Sequence, residues 1–351
     1  MRVRQSLPLT ASAAVFALAL AGCGGAANGT AQVESAARGP APKAASVAST
    51  VCNDKQNQVA SLAPEIANAD PAKITTDPSS MTNSATLKQI RKNGYLTLGT
   101  SGDVLLWGAT NPKSGELEGF DVDVAAEVAK AVGVDPAKTV YKVVNYGQRL
   151  SSLKEGSVDL VAHTMTINCA RWQGANTPSA PNPINFSAEY YRAGQRVLVR
   201  SDSKAKEIED LKGKKVCVPA ASTNVDNMKA LGFAEKDLIQ LDVVGECLVM
   251  FQEGEADAIT GDDTVLAGFA AQDTYAKVIG RKFSQEPYGL GINAEDVQFT
   301  RFVNAVLEKL RANGRLAQIY RQTMGKALPG TTLDVPEPVY GRIIGDLKRT
   351  S

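Results

Sequence analysis

The chain has 351 residues, 44% hydrophobic and 21% charged, and its 38 Lys and Arg nearly balance its 37 Asp and Glu. That balance, with no basic stripe, excludes nucleic acid as the main partner. There is one histidine, His163, and no Cys-x-x-Cys pair, so no zinc site is expected and no cofactor is implied. The length fits one large domain or two lobes of ordinary size.

The first residues read as an export signal. Arg2 and Arg4 supply the positive start, and residues 7–21 form an uncharged apolar run too short for a comfortable membrane span. The run ends in Leu20-Ala21-Gly22-Cys23, the lipobox pattern in which small residues precede the cut and the new N-terminal Cys receives a diacylglycerol. Residues 1–22 are therefore expected to be removed, leaving Cys23 anchored to the outer face of the cell membrane. Each buried acyl CH₂ of that anchor contributes about 0.8 kcal/mol. Loss of Arg2 and Arg4 brings the formal net charge from +1 to about −1. No later run of apolar residues could span a bilayer.

Residues 23–50 are rich in Ala, Gly, Ser and Pro and read as a flexible tether. Residues 51–85 are a polar extension wrapped on the folded part and held by Cys52. Residues 327–351 are a peripheral, Pro-rich tail. The mature chain keeps Cys52, Cys169, Cys217 and Cys247 besides Cys23. An even number in an exported chain implies two disulfides, with three connectivities open.

Between these ends, short strands alternate with helices, the α/β pattern. Strands are expected over 95–99, 158–162, 215–218 and 256–260. Asp121 is placed to cap a helix carrying Val124, Val128 and Val132 on one face, with Gly133 as its stop. Phe302, Val303, Val306, Leu307 and Leu310 mark a second amphipathic helix ending before Gly314. Asp263 is expected to cap a helix over 264–271. One internal echo stands out. Leu153-Lys154-Glu155-Gly156-Ser157-Val158-Asp159-Leu160-Val161 resembles Phe251-Gln252-Glu253-Gly254-Glu255-Ala256-Asp257-Ala258-Ile259. Both spell helix end, Gly stop, strand, and one copy in each half implies two lobes of similar topology.

Eight short pieces then stand in a familiar order. They are Gly119-Phe120-Asp121-Val122-Asp123, Val158-Asp159-Leu160-Val161, Met165-Thr166-Ile167 with Arg171, and Asn185-Phe186-Ser187. Tyr190-Tyr191 with Gly194-Gln195, Asp210-Leu211-Lys212-Gly213, Gly254-Glu255-Ala256-Asp257-Ala258 and Glu286-Pro287-Tyr288-Gly289 complete the set. Over roughly 86–326 the chain resembles the family 3 extracellular solute-binding proteins, which deliver polar amino acids to ABC importers. Its four cysteines and long extension are similar to those of actinobacterial glutamine/glutamate-binding lipoproteins. The resemblance implies a two-lobe periplasmic-binding-protein-like fold: lobe 1 over 86–191 and 287–326, lobe 2 over 192–286. Two hinge strands would cross near 190–194 and 285–288, and ligand would close the lobes. Cys217 on a strand and Cys247 opening the helix before the next strand form the expected lobe 2 disulfide, which leaves Cys52–Cys169.

A zwitterionic ligand needs a cation for its carboxylate and an anion for its amine in a partly dry cleft. Arg171, whose planar fork suits a carboxylate, matches the family's carboxylate-binding Arg, with Thr164 and Thr166 as further donors. Asp262 matches the residue that grips the amine, and Trp107 the aromatic that covers the ligand. Ser222 and Thr223 open a helix, where backbone N–H groups attract an anion. Ala221 stands where the family usually has Gly, which puts that loop's geometry at issue. Arg149 stands where acidic-ligand binders carry an Arg, so it would pair a side-chain carboxylate. Residues 172–185 form a Pro- and Asn-rich crossing, longer than the family pattern, beside Arg171.

These residues imply a monomeric receptor that binds a polar amino acid, glutamate or aspartate ahead of glutamine or asparagine, for a membrane-embedded ABC permease. A sensor lipoprotein reporting to a membrane partner is the alternative on the same fold. A dehydratase-type enzyme is the third reading, disfavoured because no Ser-His-Asp set and no metal cluster is apparent, and the protein is expected not to be an enzyme.

Overall fold

The computed structural model describes residues 60–64, 76–80, 83–325, 332–333 and 335–341. The signal, Cys23, the tether and Cys52 lie outside them.

The chain enters through α1 (Ala85–Asn93), where Ser84 accepts the Leu87 N–H at 3.0 Å and Gly94 closes the helix at φ +77. Then come β1 (Thr97–Thr100), a small antiparallel sheet of β2 (Asp103–Val104), β3 (Gly108–Thr110) and β4 (Leu117–Glu118), and α2 (Phe120–Val132). The expected valines of α2 are buried and Gly133 ends it at φ +91. Its N-cap, however, is Gly119. Asp121 is the second helical residue and its carboxylate is buried, because that carboxylate has better partners than its own helix. Next are β5 (Val140–Val143), α3 (Arg149–Lys154), β6 (Leu160–Val161), α4 (Cys169–Gln173) and β7 (Ile184–Phe186).

The chain crosses over on β8 (Tyr191–Ala193) into β9 (Gln195–Arg200), β10 (Val216–Pro219), α5 (Thr223–Ala230), β11 (Leu238–Leu241) and α6 (Gly245–Glu253). These are followed by β12 (Ala258–Asp262), α7 (Asp263–Gln272) and β13 (Ala276–Ile279). It returns on β14 (Glu286–Tyr288) to β15 (Gly291–Asn293), α8 (Val297–Ala312) and α9 (Arg315–Thr323). Strands β8 and β14 pair antiparallel, Tyr288 opposite Tyr191 and Glu286 opposite Ala193, and form the two-stranded bridge between two five-stranded sheets.

The sheets share one topology. Their orders are β5-β1-β6-β15-β7 and β11-β10-β12-β9-β13. In each, the first three strands run parallel and the fourth is antiparallel to its neighbours. Strands β6 and β12, which carry the internal echo, hold the same third place. The echo's glycines both adopt positive φ, +67 at Gly156 and +79 at Gly254, a conformation that glycine takes without penalty. The sequence repeat is thus a repeat of structure, and the α/β two-lobe architecture follows. The carboxyl ends of the parallel strands face the space between the lobes, where ligands of open α/β sheets bind.

Aromatic residues fill the core beneath the crossing strands. Trp107 lies edge-on to Phe120, Tyr191 and Tyr288 at centroid distances of 5.4, 4.7 and 5.2 Å. The predicted apolar face of α8 is buried throughout, from Phe302 to Leu310. Asn304 on that helix is also fully buried and receives the N-terminal extension. Its Nδ2 donates to Ser61 Oγ at 2.8 Å and to the Leu62 carbonyl, while its Oδ1 accepts the Ala188 N–H at 2.7 Å. Ser61 in turn bridges to Tyr340 of the tail.

Cys217 and Cys247 are bonded, with Cα atoms 5.5 Å apart, as expected for lobe 2. Cys169 is disulfide-bonded as well. The expected Cys52–Cys169 pairing involves a residue outside those described.

Candidate ligand-binding site

The site is built at the strand ends. Residues 162–166 leave β6 and carry His163, Thr164 and Thr166, and Arg171 follows on α4. Pro219 ends β10, and the turn after it delivers Ser222 and Thr223 to the start of α5. Asp262 ends β12. The lobes are closed on each other, with several hydrogen bonds between them. Asp103 Oδ2 accepts the Gly245 N–H at 2.6 Å, Arg149 Nη2 reaches the Ala221 carbonyl at 3.5 Å, and Ser179 Oγ donates to Asp226 Oδ2 at 2.7 Å.

Among the described residues Arg171 and Arg149 are the two buried Lys or Arg side chains, each 1% exposed. Arg171 Nε donates to the Ser179 carbonyl at 3.1 Å and Nη1 to the Thr166 carbonyl at 2.9 Å. Arg149 Nε donates to the Tyr146 carbonyl at 3.0 Å and Nη1 to the His163 carbonyl at 3.2 Å, and its guanidinium stands 4.4 Å from the Tyr146 ring centroid. Among the described residues neither guanidinium has a carboxylate within ion-pair distance. Burial, with the nearby charge of Arg171, pulls the Arg149 pKa down to about 9. Burial also lowers that of Arg171, against the opposing pull of Glu286, Asp226 and Asp262.

The anionic side centres on Asp262. Its Oδ2 accepts the Tyr288 hydroxyl at 2.5 Å and its Oδ1 the Asn224 amide at 2.8 Å. Burial and the Glu286 carboxylate push its pKa up to about 7, against those two hydrogen bonds. Asp263 does not cap α7. It is the first helical residue, and its carboxylate turns to the Gly194 N–H and to Lys282. Asp262 thus holds the cleft position and Asp263 the outside.

The hydroxyl donors are engaged by protein. Thr166 Oγ1 donates to Glu286 Oε2 at 2.7 Å, and Thr223 Oγ1 to the same oxygen at 2.8 Å. Asn227 and Ser284 donate to Glu286 Oε1 at 2.9 and 2.5 Å. Glu286 therefore joins both lobes through the second crossing strand. Ser222 Oγ turns back to the Pro219 carbonyl. Thr164 donates its N–H to Asp121 Oδ2 at 2.7 Å, and the Tyr190 hydroxyl donates to Asp121 Oδ1. Burial raises the Asp121 pKa to about 7, against those bonds.

Ala221 answers the question left by the missing glycine. It adopts φ +49, so the loop keeps a left-handed residue despite its Cβ. Thr164 is likewise left-handed at φ +42, an uncommon conformation for a β-branched side chain. Trp107 is wholly buried among aromatics, with its indole N–H unpartnered among the described residues. It underlies Tyr288. His163 is buried and held neutral, its pKa driven down to about 3 by desolvation and by Arg149. Its Nε2 contacts the Val144 carbonyl at 3.0 Å.

Five partners escaped the sequence reading as site residues: Asp121, Asn224, Asn227, Tyr288 and Glu286. The sequence pattern marks Asp121 only as a helix cap. Tyr288 and Glu286 lie in a quoted motif, Glu286-Pro287-Tyr288-Gly289, whose place on a hinge strand between the lobes was the available signal. A cavity of about 970 Å³ lies elsewhere, behind the crossing strands, between α7 and Tyr320. It includes neither arginine.

Two guanidiniums and three carboxyls, those of Asp121, Asp262 and Glu286, are thus buried between two α/β lobes, an arrangement suited to a small charged solute. Residues 96–326 match the model of the bacterial extracellular solute-binding proteins, family 3, and the chain belongs to that family. It is similar to the ABC transporter glutamine-binding protein GlnH of Bacillus subtilis, 33% identical over 68% of this chain and 84% of that one. It is also similar to the glutamate-binding protein GluB of Corynebacterium efficiens, 30% identical over 67% of this chain and 80% of that one. Among solved structures, an ancestral arginine-binding protein bound to glutamine superposes with a TM-score of 0.59 at 30% identity. That match covers 66% of this chain and 98% of that one. The family works by binding rather than catalysis and acts outside the cytoplasm. Among the described residues no helix is long and apolar enough to cross a membrane.

Proposed function

We propose that this protein is the receptor of an amino-acid ABC importer and that its ligand is an acidic amino acid, glutamate or aspartate. The observation that carries the reading is the pair of buried guanidiniums, Arg149 and Arg171, neither with a carboxylate partner among the described residues. A buried charge left unpaired is costly, and a ligand with two carboxylates supplies one to each. Arg171 takes the α-carboxylate, Arg149 with the Ser222–Thr223 amides takes the side-chain carboxylate, and Asp262 takes the ammonium. Thr164 and Thr166 line the α-carboxylate side, and Trp107 supports the wall from beneath. The glutamate-binding relative is consistent with this ligand.

Glutamine is the second reading. Glu286 takes the Thr166 and Thr223 hydroxyls and adds a negative charge to the cleft, which favours a ligand with one carboxylate fewer. The glutamine-binding relative supports that reading. Calorimetric titration with glutamate, aspartate, glutamine and asparagine separates them. The acidic pair is expected to bind at least tenfold more tightly. Preference for glutamine overturns the acidic assignment and leaves the amino-acid site standing.

The lipobox supports a signal peptide over 1–22 and a diacylglycerol anchor on Cys23. Cys23→Ala should abolish lipid labelling and release the protein, and continued labelling would refute the anchor. The polar extension supports a Cys52–Cys169 bond, which peptide mapping under non-reducing conditions tests. A monomer is expected in sedimentation. Loss of amino-acid uptake in a deletion strain distinguishes importer from sensor.

A further inference from the structure

The long crossing after α4 reaches from lobe 1 to lobe 2, and Ser179 at its turn faces two ways. Its carbonyl accepts the Arg171 Nε–H at 3.1 Å within lobe 1. Its hydroxyl donates to Asp226 Oδ2 at 2.7 Å, on the first turn of α5 in lobe 2. The side chain is nearly buried, 6% exposed, whereas Asp226 is otherwise at the surface. The tip is held in shape from within. Thr177 and Ala180 exchange backbone hydrogen bonds at 3.3 and 3.0 Å, and Ala180 is fully buried. Asn182 Nδ2 ties the descending arm to the Leu150 carbonyl at 3.1 Å. Gly174 turns the ascending arm at φ +74 where a Cβ would lie 2.5 Å from the Pro183 ring, so only glycine fits. A crossing this fixed does not move its tip without moving the residues that hold Arg171.

We propose that Ser179 is a latch on lobe closure: its hydroxyl fastens lobe 1 to Asp226 only when the lobes are closed, while its carbonyl accepts the Arg171 Nε–H within lobe 1. The bond to Asp226 crosses the hinge and is lost on opening, whereas the bond to Arg171 stays within one lobe. The latch therefore acts on ligand release and not on ligand capture. The latch does not depend on which amino acid the cleft binds.

The test uses the full mature chain with Ser179→Ala, Asp226→Asn, the double variant and Ser179→Thr. Stopped-flow fluorescence with glutamate or glutamine as the probe should show dissociation faster by about three- to tenfold in each single variant, with association unchanged. The double variant should be no faster than the singles, since they remove one bond, and Ser179→Thr, which keeps the hydroxyl, should restore slow release. Unchanged dissociation, additive effects or an equal change in association would overturn the latch. The double variant keeps this separate from the ligand reading: one shared bond gives non-additive dissociation rates with whichever amino acid is the probe, and additive rates overturn the latch whatever the ligand. Preference of the wild type for glutamine overturns the acidic reading and leaves the latch to be measured with glutamine.

Discussion

The Tyr288 hydroxyl lies 2.5 Å from Asp262 Oδ2 and joins the end of the second crossing strand to the end of β12. This bond, with that from Asn224, is too little to keep a buried carboxyl fully ionised at neutral pH, and its pKa stands near 7. A carboxyl raised in the folded state contributes stability that is full below its unfolded value, 3.8, and is lost as pH rises through about 7. An ammonium ligand reverses the balance, since it favours the carboxylate. Binding should therefore expel a fraction of a proton at pH 7, and affinity should rise between pH 6 and 8. Calorimetry in two buffers of different ionisation heat measures the proton count, which should vanish in Asp262→Asn.

The two arginines should separate by ligand. Arg171→Ala is expected to abolish binding of every amino acid, because the α-carboxylate is common to all. Arg149→Ala should weaken glutamate and aspartate by about 3–5 kcal/mol, the scale of stranding a buried charge. Glutamine and asparagine should suffer much less. Arg149 also serves three backbone carbonyls, so the informative quantity is the glutamate-to-glutamine ratio, which a general loosening of the fold leaves unchanged. Equal weakening of acids and amides would remove Arg149 from the acid-binding role.

How much of this was legible in the sequence follows from how local each signal was. The echo between 153–161 and 251–259 correctly implied two lobes, because helix, Gly stop and strand are encoded by neighbours. The apolar faces of α2 and α8 were legible for the same reason. The capping roles of Asp121 and Asp263 were misread, because a helix start rewards any nearby acid while tertiary partners decide where the side chain goes. Asp121 found Tyr190 and Thr164, far along the chain. Glu286 stayed silent because its four donors come from three separated segments. Ser179 lay in a stretch whose composition announced only a loop.

Ala221 offers a test of strain. A non-glycine residue held in the left-handed region costs roughly 1–2 kcal/mol. Its conformation persists because the turn must present Ser222 and Thr223 to the cleft and its own carbonyl to Arg149. Ala221→Gly should relieve that strain and be neutral to stabilising by up to about 1 kcal/mol, since glycine also frees the unfolded chain. Urea unfolding measures it. A loss of more than about 1 kcal/mol would show that the methyl group packs usefully there.

The Cys217–Cys247 bond should matter most to lobe 2. It links β10 to α6 across a separation of 30 residues. For a loop of that size the chain-entropy model gives a stabilisation of about 3–4 kcal/mol. Both sulfurs sit in fully buried residues, so replacement by Ser would add the penalty of burying an unsatisfied hydroxyl. The double change to Ala avoids that complication and is the cleaner variant. It should lower unfolding stability by roughly the loop term. Binding should change little, because neither cysteine is among the residues that contact Asp262, Arg171 or Glu286. Amide exchange should locate the loss in β10, β11 and α6 rather than in β1 and β6. A variant whose stability falls by less than about 1 kcal/mol would mean that packing alone holds these elements together.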